Sequence, residues 1–483
     1  MHKLAPPVVA TLGAVAAMWG TRGAGLEDLD GANFLLGLTD FSLASHQPHF
    51  PGYPVYMAAS WMASLVLDPV SALQLPGVLC WGLGLVLFHR ALCVAVNERV
   101  AWLGWMLLLL SPLAWTTAGR SGSDAMGAGL ALSAASCLAI SWVSANQNRR
   151  WAIAAGLLGA LSLGARPALF PWIGGLAVVA LWSERRAVAT GSFALGIGLW
   201  GLPFAVAAGP DLWAHGQEFV VGHFTRWGGA ATVPEADSMA ARGVQFTRLV
   251  LHHGFGTPVE GGGVMRWGVM VLWISGLAAG LRVLPRTLWR PLLAVAVPFA
   301  LWLWIGQNPE KPRHILPLLP ILATVAAAGL ARADNRLLAL GFFALGTVGL
   351  RAAALHHQTP SPEAQLASWL DQTQSPERVR LFCGQSERVI VALHPGFRAE
   401  YAADVVERDR RLGLGTAPPT LLWTDEVDGF ERSPPGYGAA HLLVRFERSP
   451  LVDPHRPTLS VWTATRLRAS ATVGHGHSQA RSF

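Results

Sequence analysis

Long apolar runs separated by short polar connections fill the first 354 positions of the chain. Several of these runs approach the roughly 20 residues that an α-helix needs to cross the hydrocarbon core of a bilayer. The pattern predicts about eleven membrane-spanning helices. Their expected positions are 4–20, 72–93, 100–118, 124–145, 151–165, 167–182, 187–208, 266–283, 291–306, 314–330 and 336–354. We therefore expect an α-helical, multi-pass membrane domain over residues 1–355.

The pattern changes near residue 360, where apolar runs shorten and acidic residues and arginines become frequent. The run Ser361-Pro362-Glu363 is typical of a helix start. Strand-like runs follow at Val379–Cys383, Thr420–Thr424 and Ala440–Val444. We expect a small soluble α/β domain at 360–468, followed by a disordered tail at 469–483.

The composition supports a membrane protein, because 13% of the residues are charged and 52% are hydrophobic. Soluble domains carry about 25% charged residues. The net charge is +7, and much of this excess lies in the short connections between predicted spans. Positive charge so placed favours anionic lipid headgroups over nucleic acid. We expect membrane lipids, and no nucleic acid, among the partners.

The apolar segment Tyr53–Leu67 determines which side of the membrane each loop faces. If this segment lies in the interface, the positive-inside rule places most basic connections in the cytoplasm. Those residues are Lys3, Arg90, Arg99, Arg149, Arg150, Arg185, Arg186, Arg282, Arg286, Arg290, Arg332 and Arg336. We therefore predict an interfacial helix at 53–67, with the first loop at 21–53, the long loop at 209–265 and the C-terminal domain outside.

The first external loop is rich in titratable side chains. It contains Glu27, Asp28, Asp30, Asp40, His46 and His49 and closes with Phe50-Pro51-Gly52-Tyr53-Pro54. A carboxylate at the mouth of a helix bundle can act as a general base, removing a proton from an acceptor hydroxyl while a phosphate leaves a sugar. The leaving phosphate needs positive charge nearby. The external side chains that can supply it are Arg120, Arg166, Lys311, Arg313 and His314.

Structural explanations compete with these chemical ones. Asp30 could cap a short helix, and Asp124 stands at a predicted helix start, where capping is the preferred interpretation. His46 and His49 could share a metal on a helix, but the prolines at 48, 51 and 54 favour an extended turn, so we expect no metal site. Arg166 stands alone between apolar spans and needs an anionic partner, either a phosphate or Asp30.

Several motifs resemble one family of membrane enzymes. The runs Asp30-Gly31-Ala32-Asn33-Phe34, Asp40-Phe41 and His46 to Pro54 resemble the first external loop of bacterial membrane glycosyltransferases of the GT-C architecture. Protein O-mannosyltransferases and aminoarabinose transferases belong to that group. The run from Glu310 to His314 resembles a late external loop of the group, and Arg120 to Asp124 resembles its short turn before the fourth span.

The resemblance implies an inverting transferase, of hexosyl or mannosyl type, acting on the periplasmic face of the bacterial inner membrane. Its donor would be a polyprenyl-phosphate-linked sugar, and its acceptor a lipid, a glycan or a protein. The family's catalytic acid falls on Asp30 here. Asp28 is the alternative, because the family often has an adjacent Asp-Glu pair in this loop. Arg166, Lys311 and Arg313 would contact the phosphate.

Further substrate contacts are expected from Arg120, His46, His49 and Tyr53. No cofactor is expected. A divalent metal ion stays an open alternative, because some enzymes of this architecture use one and others do not.

Two other classes of protein also fit a chain with many spans. A transporter or flippase of lipid-linked sugars should carry its ionisable residues within the spans, near the membrane midplane. Here the carboxylates cluster in an external loop and the predicted spans are nearly free of acids. A non-catalytic envelope assembly protein would explain the C-terminal domain, but it leaves the acidic first loop without a role.

Overall fold

The computed structural model describes residues 5–143, 149–226, 229–234, 236–256, 263–414, 420–452 and 456–467. The chain divides into two compact units. The larger unit contains residues 1–365 together with 447–457, and the smaller unit contains residues 366–446 together with 458–483.

The larger unit is built from helices. Helices α1 to α10 are Ala5–Gly20, Leu29–Thr39, Pro54–Ser64, Pro69–Ala95, Glu98–Leu109, Pro112–Ala118, Asp124–Val143, Arg149–Ala165, Phe170–Leu181 and Arg186–Ala208. Helices α11 to α16 are Asp211–Thr225, Met239–Arg248, Gly263–Val283, Arg286–Gly306, Leu319–Leu330 and Asn335–Gln358. Tighter or wider helical turns lie at Pro167–Leu169, Leu249–Gly254 and Pro312–Leu318.

Each predicted span coincides with a helix or a pair of helices. In the part of the chain that the structure describes, seven helices are long and apolar enough to cross a membrane, and an eighth span results if α5 and α6, bent by 59°, are taken as one. Two shorter apolar helices occur at Pro6–Gly20 and Pro167–Leu181. The predicted multi-pass helical fold is thus confirmed, while the count of eleven spans stays a prediction.

Polar residues in the connections determine where several helices begin. Asp68 accepts a hydrogen bond from the Ser71 backbone N–H at 2.9 Å and caps α4. Asn97 caps α5 in the same way through the Val100 N–H at 2.9 Å. Such caps satisfy backbone donors that have no partner within the helix.

Small residues let the central helices approach closely. A side chain at Gly129 of α7 would overlap the Cys80 backbone of α4. Close packing of this kind is how helices associate within lipid, where apolar burial from water gives no driving force. Large residues such as Trp81 and Trp273 fill the centre. Exposed apolar residues on the outer helices, including Leu199 and Leu202 of α10, suit a lipid-facing surface.

The predicted interfacial segment and the predicted long external loop also contain helices. The segment 53–67 forms α3, which exposes Trp61 and Met62. The long loop 209–265 contains α11, α12 and the turn Leu249–Gly254. Their depth in the membrane and the sidedness of the loops stay predictions.

The smaller unit contains a five-stranded mixed sheet in the order β2-β1-β3-β5-β4. The strands β1 to β5 are Val379–Cys383, Arg398–Tyr401, Thr420–Thr424, His441–Glu447 and Thr458–Thr463. Helices α17 to α19 are Pro362–Thr373, Ser386–Leu393 and Val405–Gly413. Strand β1 pairs in parallel with β2 and β3, and β5 pairs antiparallel with β3.

The predicted small α/β domain is confirmed, with two strands that the sequence pattern did not predict, β2 and β5. The strand expected at Ala440–Val444 begins one residue later and continues to Glu447. The tail at 469–483 lies outside the described residues.

Candidate functional site

The first loop presents its carboxylates from the start of a short helix. Asp28 is the N-cap of α2 and accepts a hydrogen bond from the Gly31 N–H at 3.0 Å. Asp30 lies in the first turn of the same helix. A helix N-terminus stabilises negative charge, so this local structure supports both ionised carboxylates. Asp30 therefore does not cap the helix, since Asp28 fills that position.

Arg313 brings the first loop and a late loop together. Its guanidinium donates to Asp28 Oδ2 at 2.6 Å and to Asp30 Oδ2 at 2.7 Å, across 283 to 285 positions of sequence. Its Nε lies 3.2 Å from Asp124 Oδ2. The Arg313 side chain is 10% exposed. A nearly buried guanidinium with three carboxylates around it is strongly held in place.

Two further arginines join these acids. Arg120 Nη2 lies 3.2 Å from Asp28 Oδ2. Arg166 Nη2 lies 2.9 Å from Asp124 Oδ1, so Asp124 connects Arg166 with Arg313. The sequence correctly indicates that Arg166 needs an anionic partner, but that partner is Asp124 and not Asp30. Capping, the interpretation preferred from the sequence, misses this ion-pair role of Asp124.

His49 and Tyr53 form a further pair of side chains near Asp30. His49 Nε2 lies 3.8 Å from Asp30 Oδ1 and shares a 2.9 Å hydrogen bond with the Tyr53 hydroxyl. The Arg166 guanidinium lies over the Tyr53 ring at 5.8 Å. His46 is exposed on the loop surface. Of the nine candidate residues, the structure thus gathers eight around the carboxylates and leaves His46 outside.

The charges of these groups shift their pKa values. Burial opposes ionisation of Asp30, but the charge of Lys311, with help from His49 and Arg313, lowers the Asp30 pKa to about 2. Burial also opposes ionisation of Asp28, and Arg313 and Arg120 still hold its pKa well below the ordinary value. Burial lowers the pKa of His49 and, despite attraction to Asp30, that of Lys311. Both aspartates are therefore ionised near neutral pH.

We call this set the carboxylate cluster: Asp28, Asp30 and Asp124 with Arg120, Arg166, Lys311 and Arg313. Four cations face three acids, so the cluster keeps one excess positive charge. Lys311 is only partly exposed and, among the described residues, has no carboxylate within ion-pair distance. With Asp28 and Asp30 about a quarter exposed, the cluster can receive an anion from outside and accept a proton.

Solved structures of membrane glycosyltransferases share this fold. ArnT from Cupriavidus metallidurans, solved with undecaprenyl phosphate, aligns with a TM-score of 0.60 at 13% identity over 94% of this chain and 97% of ArnT. The Archaeoglobus fulgidus oligosaccharyltransferase in its apo form aligns with a TM-score of 0.52 at 12% identity over 88% of this chain and 71% of that one. The chain has the GT-C fold.

The mycobacterial arabinofuranosyltransferase AftD also aligns, with a TM-score of 0.51 at 15% identity, over 96% of this chain and 40% of AftD. Searches with protein-family models and against curated protein sequences found no match. At these identities the similarity establishes the fold that the sequence motifs predict, and the residue roles rest on the geometry of this chain.

The arrangement of the side chains bears on metal binding. No group of three or more His, Cys, Asp or Glu side chains within the described ranges is arranged to hold a metal ion. In the carboxylate cluster, guanidinium groups lie against the oxygens that a cation would need.

A second group of charges lies beside the carboxylate cluster. We call it the Glu27 cluster: Glu27, His356 and Arg448. Glu27 accepts from Arg448 and lies 2.8 Å from His356 Nε2. All three side chains are at most 1% exposed. Arg120 Nη1 lies 3.7 Å from Glu27, so this arginine stands between the two clusters.

Proposed function

We propose that this protein is an inverting glycosyltransferase that moves a sugar from a polyprenyl-phosphate donor to an acceptor at the external face of the bacterial inner membrane. The proposal rests on one observation. Asp30 forms an ion pair with Arg313 and is affected by the charge of Lys311, within a partly exposed cluster that has excess positive charge. The GT-C fold supports it, and one similar structure, ArnT, was solved with undecaprenyl phosphate.

The donor phosphate would bind the cations of the cluster. Arg313 contacts Asp28 and Asp30, Arg166 contacts Asp124, and the charge of Lys311 acts on Asp30. Guanidinium and ammonium groups bind phosphate strongly where water is scarce. A phosphate must compete with Asp30 for Arg313. When the phosphate shares the Arg313 guanidinium, the positive charge acting on Asp30 is partly neutralised and the pKa of Asp30 rises. Donor binding would thus make Asp30 a stronger base.

Asp30 is the better base of the two first-loop aspartates. Both Asp28 oxygens are engaged, one with the Gly31 N–H and the other with Arg313 and Arg120. Asp30 Oδ2 holds Arg313, whereas the nearest described partner of Oδ1 is His49 at 3.8 Å. Asp30 therefore keeps one oxygen for a proton.

The reaction follows from these positions. The acceptor hydroxyl oxygen would attack the anomeric carbon on the face opposite the phosphate, and its proton would pass to Asp30 Oδ1. The bond between the anomeric carbon and the phosphate oxygen breaks, and the phosphate leaves with the electron pair. Lys311 and Arg313 would stabilise its extra charge. Attack opposite to the leaving group inverts the anomeric carbon.

The sugar is proposed to be a hexose such as mannose, and the acceptor a lipid, a glycan or an exported protein. Tyr53 and His49 would contact the sugar or acceptor beside Asp30, since their hydrogen bond faces that carboxylate. Arg120 would act mainly by holding Asp28.

Replacement of Asp30 tests the proposal. A deletion strain would be rescued with the wild-type gene, with Asp30→Asn or with Asp40→Asn, and its surface glycans, glycolipids and exported proteins compared by mass spectrometry. Asp40 is a matched control because it lies exposed at the other end of α2. We expect wild type and Asp40→Asn to restore the same glycan mass, which also identifies sugar and acceptor, and Asp30→Asn to restore none.

Full rescue by Asp30→Asn, and by the double variant in which Asp28 is also replaced by asparagine, would contradict catalysis by this loop. Transport of a lipid-linked sugar would then be the next function to test. Membrane insertion of each variant must be checked first by its level in purified membranes.

A further inference from the structure

The connection between strands β4 and β5 belongs to the membrane unit. Residues 447–457 lead from the last residue of β4 to β5, yet they belong to the same compact unit as residues 1–365. Residues 447–452, 456 and 457 of this segment are described. We call this connection the strap. It closes on itself, because the Arg448 N–H donates to the Pro457 carbonyl at 2.7 Å.

Arg448 of the strap is completely buried against the first loop. Its side chain is 0% exposed and that of Glu27 1% exposed. The guanidinium donates to both Glu27 oxygens, with Nη2 lying 3.3 Å from Oε1. His356 at the end of α16 adds a second donor to Oε1 at 2.8 Å. Glu27 is thereby held from two distant parts of the chain.

Neighbouring contacts fix the backbone at the same place. The Ser361 hydroxyl donates to the Leu26 carbonyl at 2.8 Å, and the Gly23 N–H donates to the Gly119 carbonyl at 2.9 Å. A side chain at Gly23 would overlap both Glu27 and His356. The space around the Glu27 carboxylate is therefore filled by its partners.

A buried ion pair of this kind is costly to break, because removing one partner leaves the other charge without water or a counter-ion. Glu27 directly precedes Asp28, the N-cap of α2, and Arg120 reaches both acids. Any displacement of Glu27 must therefore move the start of α2. That start carries Asp28 and Asp30.

We propose that Arg448 is a positioning residue: the strap docks through Arg448 onto Glu27 and fixes the start of α2, so that Asp28 and Asp30 face Arg313. The docking is argued from geometry alone, while its effect on sugar transfer rests on the function proposed above. On this basis the C-terminal part of the chain supplies a residue without which the first-loop site is incompletely ordered.

Hydrogen exchange measures the docking without any assay of activity. Backbone exchange of peptides covering residues 21–33 would be compared in full-length wild type, Arg448→Met, Arg448→Lys and Arg445→Met. Arg445 is a matched control, because it lies three positions earlier in β4 and is exposed. We expect exchange at the start of α2 to rise by about tenfold or more in Arg448→Met, to recover in large part with lysine, and to match wild type in Arg445→Met.

Unchanged exchange in a folded Arg448→Met protein would overturn the proposal. If that variant fails to insert, the double variant Glu27→Gln with Arg448→Gln removes both charges together and avoids an unpaired buried ion. The start of α2 should still exchange faster in this variant, since the link is lost. Wild-type protection there would equally overturn the proposal.

Steady-state kinetics then show whether Arg448 positions the base or only stabilises the fold. We expect Arg448→Met to lower kcat by about tenfold to 100-fold with a smaller change in the donor KM, because the misplaced group is the base and not the phosphate site. Arg448→Lys should restore most of kcat. If purified wild type transfers no sugar, the proposed function fails, and the exchange experiment still decides the docking. A normal kcat in Arg448→Met despite faster exchange would remove the positioning role.

Discussion

Glu27 and Asp30 lie three positions apart in one loop, yet they belong to two clusters of opposite character. The Glu27 side chain is 1% exposed, whereas those of Asp28 and Asp30 are 25% and 24% exposed. The backbone explains the separation, because Asp28 is extended, with φ −166° and ψ −177°. Successive side chains of an extended segment point to opposite sides. Glu27 therefore faces inward and Asp28 faces Arg313.

The difference between the clusters separates structure from chemistry. In the Glu27 cluster, the side chains of Glu27, His356 and Arg448 are at most 1% exposed and are closed to an incoming ligand. In the carboxylate cluster, Asp28 and Asp30 stay partly exposed, and Lys311 beside them has no carboxylate of the described chain within ion-pair distance. Ionisable groups that are held by partners but remain accessible are the ones that can react. We expect the Glu27 cluster to act through folding and the position of α2, and the carboxylate cluster to act directly on turnover.

Replacement of Arg313 should give the largest effect on turnover. Arg313→Met removes the cation that contacts Asp28, Asp30 and Asp124, and would also remove a phosphate contact. We expect the transfer rate to fall by about 1,000-fold or more, measured with purified enzyme and a polyprenyl-phosphate sugar. Arg313→Lys should recover only a small part, because an ammonium group cannot hold several carboxylates in a fixed plane.

Arg336, which the positive-inside rule places in the cytoplasm, provides a matched control. Arg336→Met should transfer at the wild-type rate. If Arg313→Met kept more than about a tenth of the activity, the carboxylate cluster would not be the site of reaction.

Replacement of Glu27 should instead lower stability. Glu27→Leu leaves Arg448 buried without its carboxylate, which costs about 3 kcal/mol or more. Thermal unfolding in detergent would show a lower midpoint, whereas Asp30→Asn should unfold within a few degrees of wild type because its side chain is more exposed. Equal losses of stability in the two variants would remove the distinction between the clusters.

Much of this arrangement could be predicted from the sequence. The helices coincide with the apolar runs, because a helix that faces lipid needs an almost unbroken apolar surface. The positive-inside rule predicted that Asp30, Arg166 and Arg313 share one side of the membrane. In the structure these three residues lie in one cluster. The distribution of basic residues along the chain therefore indicated that Asp30 and Arg313 lie near each other, although 283 positions separate them.

Other features had no visible signal. Asp124 at a helix start is already explained by the helix dipole, so its position in the chain does not indicate ion pairs with Arg166 and Arg313. Arg448 follows a strand of the soluble sheet and is one arginine among many there. Strand β2 is only four residues long and begins with Arg398, so it lacks an apolar alternation. Each of these features depends on contacts between residues that are distant in the sequence.

Lys311 should determine the behaviour at alkaline pH. Burial lowers its pKa below the usual value, so its charge is lost at a lower pH than for a free lysine. As the pH rises through that pKa, we expect the donor KM to increase by about tenfold. Lys311→Arg should move this increase to a higher pH, since an arginine stays protonated. A donor KM that rises at the same pH in both proteins would remove Lys311 from the phosphate site.

The smallest effect should appear at acidic pH. The Asp30 pKa of about 2 lies below its ordinary value, so its contribution to stability is complete above about pH 4 and is lost as the pH falls toward 2. The rate kcat/KM, which reports the free enzyme, should therefore be flat between about pH 5 and 7. Lys311→Met removes the main charge that lowers the pKa of Asp30, and should move the acid limb upward, while Glu310→Gln in the same loop should not. An acid limb near pH 6 in wild type would assign the base to another group.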